Sequence, residues 1–589
     1  MWHSIGSFRA IFLAMALNGA VIAGPSARAQ APGPTPPAEK ALQQADPVVY
    51  AAARQYFPSD EPGVPSKRIF RLTRDQLDAT VRSLLPGYAA QSVKEAMPRD
   101  SLQMNYEYAE ILNFNSANIG GLSGWISGIA ARVRDKPNGV IDCAASNKSP
   151  NCLKHQARAF VLKAFRGDVG DDKIEKIAAF YVSGVQSAGF GQATGDLVEV
   201  ALNSPSFLFR KELDVNTSYR LAPAQLLQAV TYTIADAPPE SLDLSSQRAA
   251  EYLRTGAEAS QTITSIVASK PARDKLQRFM TAWLEIKEAA DFTISPQVFP
   301  EFNPKMAAAM RDETQRFLRA QLGKDRPTLK DITQSTQSFV SKTVALLYGT
   351  KVDATADAAL VDLDPAQRLG VFSQPAVIAS HSGPTNTRPI KRGVFWVRKV
   401  MCLEMEPPPP DVHAKIYEMA GATERQKIES STAAPACAGC HKIINPFGFF
   451  LESYDALGRW RTRDNGAAID TSILVNFLDE EPEKSSSTVD ALKNFTNSMM
   501  FKQCFVRQLF RYYMGRKEEP SDDPLLRRML FEFAHNDRKR IGCHTGMKRG
   551  VPCELRHRMF FDELFDRGGY FYGRGLIHHD FFISVERAG

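Results

Sequence analysis

Apolar side chains recur at intervals of three and four residues along most of the chain. One run follows Thr73, a suitable N-cap with Gln76 three residues later to complete a capping box, and it ends at Pro86-Gly87. Similar stripes occupy residues 157–165, 173–187, 223–234, 275–286, 306–322 and 489–514. Alternation of period two, which indicates strands, is rare. The pattern therefore predicts a mainly α, multi-segment helical protein with long irregular loops.

The first 29 residues have the pattern of a secretory signal peptide. Arg9 supplies a positive charge, residues 10–23 are apolar, and Ala27-Arg28-Ala29 predicts cleavage after Ala29. The apolar stretch is short for a membrane span, and an uncleaved anchor is the alternative. No transmembrane segment is expected after cleavage. These features predict a periplasmic or secreted protein in a compartment where disulfides persist.

The chain is expected to divide into eight segments. They are a signal peptide (1–29), a Pro-rich linker (30–66), an N-terminal helical domain (67–140), a second helical domain (141–215), a central helical domain (216–350), a domain with a cysteine motif (360–465), a C-terminal helical domain (485–540) and an atypical tail (541–589). The folded part is expected to begin near Lys67. The proline run 407–410 is expected to act as a stiff spacer.

Composition excludes several classes of protein. The 589 residues include 72 basic and 65 acidic ones, which gives a net charge of +7. Apolar residues make up 44% of the chain. Disorder throughout and a collagen-like repeat are excluded, and a charge of this size on so long a chain does not indicate nucleic-acid binding. The 8 cysteines are too few for a disulfide scaffold, so their positions matter more than their number.

The segment Cys437-Ala438-Gly439-Cys440-His441 is the strongest chemical signal. In a C-x-x-C-H motif the two thiols add to the vinyl groups of haem c, and the adjacent histidine is held as an axial iron ligand. The sequence therefore predicts a C-terminal cytochrome c-like region with one covalent haem c. Cys437 and Cys440 are its attachment sites and His441 is its proximal iron ligand. The alternatives are a thioredoxin-type motif, a zinc site and a disulfide between the neighbouring cysteines, although neither a βαβ unit nor further zinc ligands are evident nearby.

The second axial position of this haem has several candidates. His381, in a polar loop, is a possible distal ligand. The methionine candidates are Met401, Met405, Met499, Met500 and Met514. A His or Met ligand would give an electron-transfer centre, whereas an open position would permit peroxide or oxygen chemistry. The alternatives are core packing for each methionine and a hydrogen-bonded loop position for His381.

Basic and aromatic side chains complete the predicted haem environment. Candidates to pair the propionates are Arg388, Lys391, Arg392, Arg459 and Arg461, because guanidinium binds carboxylate in a bidentate manner. Each could instead be an ordinary surface or scaffold cation. Phe447, Phe449 and Trp460 are expected to cover the macrocycle. Arg392 and Trp460 are thus the cofactor-binding candidates outside the motif.

Four further cysteines are candidates for disulfides. Cys143 and Cys152 bracket a polar loop and could close a short bridge. Cys402 and Cys504 are distant in sequence, but both belong to helical stretches near the haem segment, and export makes their pairing plausible. Cys543 and Cys553 lie in the atypical tail, where a natural extension and a shifted reading frame are both possible.

Several phrases resemble one family of large exported proteins, named for planctomycete cytochrome c-like domains and built from serial domains of unknown function. They are RLGVFSQPAVIASHS (Arg368–Ser382), T-x-P-x-K-R-G (Thr387–Gly393), PACAGCH (Pro435–His441) and NPFGFFLESYDALGRWR (Asn445–Arg461). Looser matches in the same order are RLTRDQLDATVRSLL (Arg71–Leu85), YRLAPAQLLQAVTYTI (Tyr219–Ile234), KPARDKLQRFMTAWLEI (Lys270–Ile286) and CFVRQLFRYYMGR (Cys504–Arg516).

The resemblance implies haem attachment at Cys437 and Cys440 with His441 as proximal ligand. It also implies that His381, Cys402 and Cys504 have a role. The chain departs from the family at Asn445, where the pattern usually has Asp, and in lacking a second, N-terminal C-x-x-C-H, so one haem is expected. The likeness ends near Arg540. It indicates an architecture rather than a reaction.

The leading functional hypothesis is an exported monohaem c-type cytochrome that transfers electrons with an unknown redox partner. The first alternative is a haem-dependent enzyme of peroxidase or oxygenase type, with His381 or an arginine as a distal acid–base group. The second alternative is an extracellular polymer-binding or structural protein in which the haem is accessory.

Overall fold

The computed structural model describes residues 37–60, 68–143, 149–213, 221–324, 327–352, 357–405, 419–475 and 483–545. The structure is 62% helix and 7% strand, which confirms the mainly α fold. The predicted signal peptide, the proline run and the tail beyond Thr545 lie outside the described residues. Among the described helices, none combines the length and the apolar character that a membrane crossing requires.

Helices form most of the described chain, and short strands pair locally. The helices are, in chain order, α1 (Pro37–Ala45), α2 (Pro47–Tyr56), α3 (Arg74–Leu84), α4 (Val93–Ala96), α5 (Ser116–Asp135), α6 (Pro150–Ala164), α7 (Asp171–Ala188), α8 (Phe190–Leu202), α9 (Pro205–Leu208), α10 (Pro223–Ala235), α11 (Ala249–Tyr252), α12 (Gly256–Ala268), α13 (Lys270–Trp283), α14 (Pro304–Leu322), α15 (Leu329–Thr333), α16 (Lys342–Tyr348), α17 (Pro375–Ser380), α18 (Pro389–Phe395), α19 (Glu424–Ser431), α20 (Pro435–Phe449), α21 (Thr488–Asn497), α22 (Met499–Met514) and α23 (Asp523–Thr545). Antiparallel pairs join β1 (Arg68–Arg71) to β2 (Phe209–Glu212), β3 (Gln337–Val340) to β4 (Ala359–Asp362), β5 (Arg463–Asp464) to β6 (Ala467–Ala468) and β7 (Ile473–Val475) to β8 (Glu483–Ser485).

Two helices lie within the stretch that was expected to be a linker. α1 and α2 pack at the C-terminal end of the fold, where Val49 and Tyr50 share a small apolar core with Phe531 of α23. Arg527, whose side chain is fully buried, donates to Glu39 at 2.8 Å. The described fold therefore already includes residues about thirty positions before Lys67. The proline content concealed this, because Pro37 and Pro47 stand in the first turns of helices, where proline is tolerated.

The N-terminal helices pack around one apolar core. α3 begins with the predicted capping box, since the Gln76 backbone N–H donates to Thr73 Oγ1 at 3.3 Å and the Thr73 N–H donates to Gln76 Oε1 at 3.2 Å. Leu77 and Val81 of α3 are fully buried. α5 packs on α8, and α6 packs on α7. A disulfide joins Cys143 to Cys152, nine residues apart, and ties the start of α6 to the preceding loop.

A larger aromatic core joins the central, motif and C-terminal parts. The ring of Trp283 in α13 lies 5.1 Å from that of Phe505 in α22. Trp396, in the turn of π-helix that continues α18, lies 4.7 Å from Phe372 and 5.5 Å from Phe495 of α21. Because each ring contacts rings from distant segments, these parts share one interior.

A second disulfide crosses this core. It joins Cys402, at the end of the α18 segment, to Cys504 in α22, a separation of 102 residues. We call it the long disulfide and the Cys143–Cys152 bridge the short disulfide. The long disulfide connects the segment that carries the cysteine motif to the C-terminal helices.

One buried carboxyl group in the central part has a raised pKa. Glu313 of α14 accepts hydrogen bonds from Ser338 Oγ and Tyr348 Oη, both at 2.6 Å. Burial raises the pKa of Glu313 to about 7.

Candidate functional site

The cysteine motif lies in the first turns of α20, at the surface. Pro435 opens the helix, and the Cys437 and Cys440 thiols follow three residues apart on it. Both thiols are free, whereas four other cysteines are bridged. Cys437 is half-buried and Cys440 is exposed. The motif therefore presents two accessible thiols, and the alternative of a local disulfide is not formed.

The surroundings of the motif do not fit the other two alternatives. α20 follows the short helix α19 rather than a strand, so the βαβ context of a thioredoxin-type motif is missing here. Within the part of the chain that the structure describes, no group of three or more His, Cys, Asp or Glu residues could hold a metal ion. A zinc site of the usual four ligands is thus not assembled from the described residues.

A chain of hydrogen bonds orients the imidazole of His441. Its Nδ1 lies 3.0 Å from Asn445 Oδ1, one helical turn later. Asn445 Nδ2 donates to Thr432 Oγ1 at 3.0 Å, and Thr432 Oγ1 donates to the Ile428 carbonyl at 2.7 Å. Because Asn445 uses its NH2 on Thr432, its Oδ1 is the acceptor and His441 Nδ1–H is the donor. This tautomer leaves the Nε2 lone pair available to a metal.

An open depression of about 440 Å³ lies beside His441, within the range of about 300–1,000 Å³ found for ligand sites. The apolar part of its lining includes Phe449, Ile473 and Leu474. Leu474 is 60% exposed, and Ile443 of the motif helix is 44% exposed. The lining of the depression thus combines two buried apolar side chains, Phe449 and Ile473, with one that is exposed, Leu474.

Two cations line the same depression. Arg425 lies with its guanidinium carbon 5.0 Å from the centre of the Phe449 ring and pairs with Glu429 at 2.9 Å. Lys442 is exposed and follows His441 directly. Sequence reasoning did not single out either residue. The position of Lys442 next to the motif was a usable signal, whereas Arg425 comes from another helix.

The helix that carries the motif crosses α18 at close range. A Cβ at Gly393 would collide with the carbonyl oxygen of Ile444, and a Cβ at Gly448 would collide with that of Pro389. Glycine at these two positions allows the backbones to approach. The T-x-P-x-K-R-G and NPFG phrases thus meet at one crossing.

His381 serves the interior of the protein. It is buried, its Nε2 lies 3.0 Å from the Leu284 carbonyl, and its ring stacks on Phe395 at 3.8 Å. Burial lowers the pKa of His381 to about 3, so the imidazole is neutral. His381 does not line the depression beside His441.

The methionine candidates are also placed away from the lining of the depression. Met401 and Met500 are buried in the aromatic core, and Met405, Met499 and Met514 pack against its edge. Each of the five therefore has the packing role that was the alternative at the sequence level.

Arg392 is committed to the scaffold of this region. Its side chain is 1% exposed and lies 3.6 Å from Glu452, whose pKa burial raises to about 7. At distances between 2.8 and 3.0 Å it donates to Leu451 O, Tyr454 O, Asp455 O and Ser382 Oγ. These bonds tie α18 to the turn after α20. Arg392 thus holds the backbone that supports the motif helix and does not line the depression.

Apart from Phe449, the other proposed haem contacts also lie outside the depression. Lys391 Nζ donates to the Ser380 carbonyl at 2.9 Å, and Arg388 caps α18 in a left-handed conformation. Arg459 pairs with Asp455 at 2.7 Å, and Arg461 with Asp464 at 2.6 Å. Trp460 packs on Tyr454 with ring centres 5.4 Å apart, and Phe447 packs on Phe495 at 5.0 Å. Of the predicted aromatic contacts, Phe449 lines the depression.

Family models match three consecutive stretches of the chain, each described as a protein of unknown function. They are PSD5 (DUF1595) over residues 152–212, PSD4 (DUF1592) over 221–350 and PSCyt3 (DUF1588) over 368–464. No curated protein and no solved structure matches the chain. The chain thus carries planctomycete-type domains of unknown function in series, and the cytochrome-like PSCyt3 match contains the cysteine motif.

Proposed function

We propose that this protein is an exported monohaem c-type cytochrome that exchanges electrons with a redox partner. The observation that carries the proposal is the arrangement on α20, where two free, accessible thiols precede an imidazole whose Nδ1–H is held by Asn445. Export rests on the signal-peptide pattern of the first 29 residues.

The residues present fit a covalent haem c. Cys437 and Cys440 would supply the thioether bonds, and His441 Nε2 would ligate the iron. Phe449, Ile473 and Leu474 would supply apolar surroundings to the macrocycle, and the exposed Lys442 could pair one of its carboxylates. Arg425 is engaged by Glu429 and by the Asp470 and Ser472 carbonyls. When bound, the group would supply one-electron redox chemistry.

The protein contributes orientation and environment to that chemistry. The Thr432–Asn445–His441 chain fixes the ring plane and the tautomer of the ligand. Because the depression is open, part of a group bound there would be accessible from the surface. Such exposure suits transfer of electrons to an external partner.

A haem-dependent enzyme is the second candidate, and the lining of the depression favours it. Among the described residues that form the lining, His441 is the one imidazole, and no methionine contributes. An axial position left to exchangeable ligands would permit peroxide or oxygen chemistry.

The test is expression with a haem c maturation system, followed by haem staining of denaturing gels and absorption spectra. We expect covalent haem in the wild-type chain and in His155→Ala, an exposed histidine of α6 used as control. We expect none in the Cys437→Ala/Cys440→Ala variant. An unstained wild-type protein would refute the proposal. Rapid cyanide binding by a high-spin ferric form would favour the enzyme, and a six-coordinate spectrum in both oxidation states would favour the cytochrome.

A further inference from the structure

A second cavity, of about 230 Å³, lies where several parts of the chain meet. It is bounded by the start of α3, the turn over residues 102–109, the C-terminal ends of α10 and α13, and the end of α22. It shares no lining residue with the depression beside His441. The cavity is thus a separate feature of the fold.

The four looser phrases of the family resemblance all contribute to the wall of this cavity. Residues 71–85, 219–234, 270–286 and 504–516 each supply lining side chains. These segments are far apart in sequence, and the function proposed for the cysteine motif gives them no role. Their convergence makes the cavity a second candidate site.

The charged groups of the lining are equal in number and largely paired. The lining holds three carboxyl groups and three cations, namely Asp75, Glu107, Asp236, Arg210, Lys275 and Arg278. Asp236 accepts hydrogen bonds from Lys275 Nζ at 2.7 Å and from Arg278 at 2.8 Å. Arg210 pairs with Glu212 at 2.7 Å, and Asp75 pairs with Lys94. A charged ligand of either sign would compete with these ion pairs, and breaking a buried pair is costly, so the lining favours a neutral ligand.

Three of the tyrosines that line the cavity pack against the chain itself. Lys399 Nζ lies 4.4 Å from the centre of the Tyr106 ring, and Lys275 Nζ lies 5.1 Å from that of Tyr513. The rings of Tyr106 and Tyr512 meet edge to face at 5.5 Å. The cavity therefore offers polar groups to a ligand rather than an open aromatic platform.

Three polar side chains of the lining are available to a ligand. Glu107, Thr233 and Tyr512 come from different segments, and each is half-buried. No described residue forms a hydrogen bond or an ion pair with their side-chain oxygens. Burial raises the pKa of Glu107 to about 7, so near neutral pH its carboxyl group can both accept and donate a hydrogen bond. A few converging polar groups of this kind are typical of a site for a small molecule.

We propose that this cavity binds one ring of a neutral sugar, whose hydroxyl groups bond to Glu107, Thr233 and Tyr512. Each hydroxyl of a sugar both donates and accepts, so the ligand satisfies all three groups without disturbing the ion pairs around them. The volume lies below the range of about 300–1,000 Å³ found for drug-sized ligands, which restricts the ligand to a single ring.

The experiment is a calorimetric titration of the full-length chain, expressed with the haem c maturation system. The probes are glucose, galactose, mannose and xylose, with choline and acetate as charged comparisons. Tyr512→Phe and Thr233→Val each remove one hydroxyl and keep the shape of the side chain. We expect at least one sugar to bind the wild type, and to bind each of these variants roughly two- to ten-fold more weakly, the effect of one hydrogen bond between neutral groups.

Two further comparisons separate hydrogen bonding from charge and from general effects of mutation. Glu107→Gln keeps a donor and an acceptor and should retain the affinity, whereas Glu107→Leu should weaken it. Thr293→Val, at an exposed position outside the lining, is the matched control and should bind as the wild type does. Circular dichroism spectra that match the wild type establish that a weakened variant is folded.

Three outcomes would overturn the inference. They are absence of binding by all four sugars, equal affinity of the wild type, Tyr512→Phe and Thr233→Val for the sugar that binds, and tighter binding of choline or acetate than of any sugar. Because the cavity is separate from the motif, Cys437→Ala/Cys440→Ala should give the same affinity, so failure of the haem proposal would leave this result unchanged.

Discussion

Replacement of Arg392 by Ala tests whether this residue supports the scaffold or the haem. The guanidinium donates to four acceptors, three of them backbone carbonyls, and its side chain is 1% exposed. A hydrogen bond from a charged donor contributes about 1.5–3 kcal/mol, and a buried acceptor left without a partner costs about 1–3 kcal/mol. Glu452 would also lose a buried counter-charge, for which the usual cost is about 3–5 kcal/mol.

These contributions come from one side chain, so their energies do not simply add. Glu452 also keeps a second ion pair, with Arg461 at 3.1 Å. We therefore expect Arg392→Ala to lower the free energy of unfolding by at least about 3 kcal/mol. If the free energy of unfolding decreases by about 3 kcal/mol per M of urea, the urea concentration at the unfolding midpoint should fall by about 1 M. Tryptophan fluorescence should report the change, because Trp396 lies in the adjoining core.

Two comparison variants make the measurement decisive. Arg463→Ala, an exposed position on β5, should change stability by no more than about 0.5 kcal/mol. Arg392→Lys keeps the charge but not the forked geometry, so an intermediate loss is expected. An unchanged urea midpoint for Arg392→Ala, together with a shifted haem potential, would refute the scaffold role and restore the propionate role.

Three other predictions concern groups already described. Glu313→Gln should remove a pH dependence of stability. Because the folded-state pKa of Glu313 is about 7, above the ordinary value near 4.5, the free energy of unfolding of the wild type should fall by roughly 3 kcal/mol between pH 4.5 and 7.5. Urea titrations of the variant at the two pH values should not show this fall. Asn445→Asp should lower the haem midpoint potential by on the order of 60 mV, a ten-fold change for one electron, because a carboxylate makes the ligating imidazole more basic. Unchanged potentials in both Asn445→Asp and Asn445→Ala, measured by spectroelectrochemistry, would contradict the orienting role. Cys402→Ser, which removes the long disulfide, should lower the free energy of unfolding by about 5 kcal/mol, and Cys143→Ser, which removes the short one, by about 3 kcal/mol. The difference follows from the loop lengths of 102 and 9 residues that the two bridges close. Equal shifts of the thermal unfolding midpoint in the two variants would contradict this.

Local features of the fold were predictable because their determinants are close in sequence. The capping box at Thr73 and Gln76 depends on residues three apart, and the apolar stripe from Lys275 to Trp283 lies on one face of α13. The helices α1 and α2 were not predictable in this way. Their apolar face is covered by α23, whose contact residues lie almost five hundred positions later, and short helices depend on such packing for stability.

The site shows the same division between local and distant determinants. The motif itself indicates the chemistry, and Asn445 at four residues after His441 could have been recognised as a neighbour on one helix face. Thr432, Arg425 and Leu474 come from other elements, so their place in the depression depends on the tertiary fold.

Arg392 shows why residue type alone cannot assign a role to a cation. A guanidinium group recognises a propionate and a cluster of backbone carbonyls with the same donors, so the sequence cannot distinguish the two uses. What decides between them is the crossing of α18 and α20, where Gly393 and Gly448 let the backbones approach and bring the turn after α20 within reach of Arg392. The same crossing fixes the direction of the motif helix. A substitution that moves α18 away from α20 should therefore break the hydrogen bonds of Arg392 to the turn after α20, while the motif residues themselves stay intact.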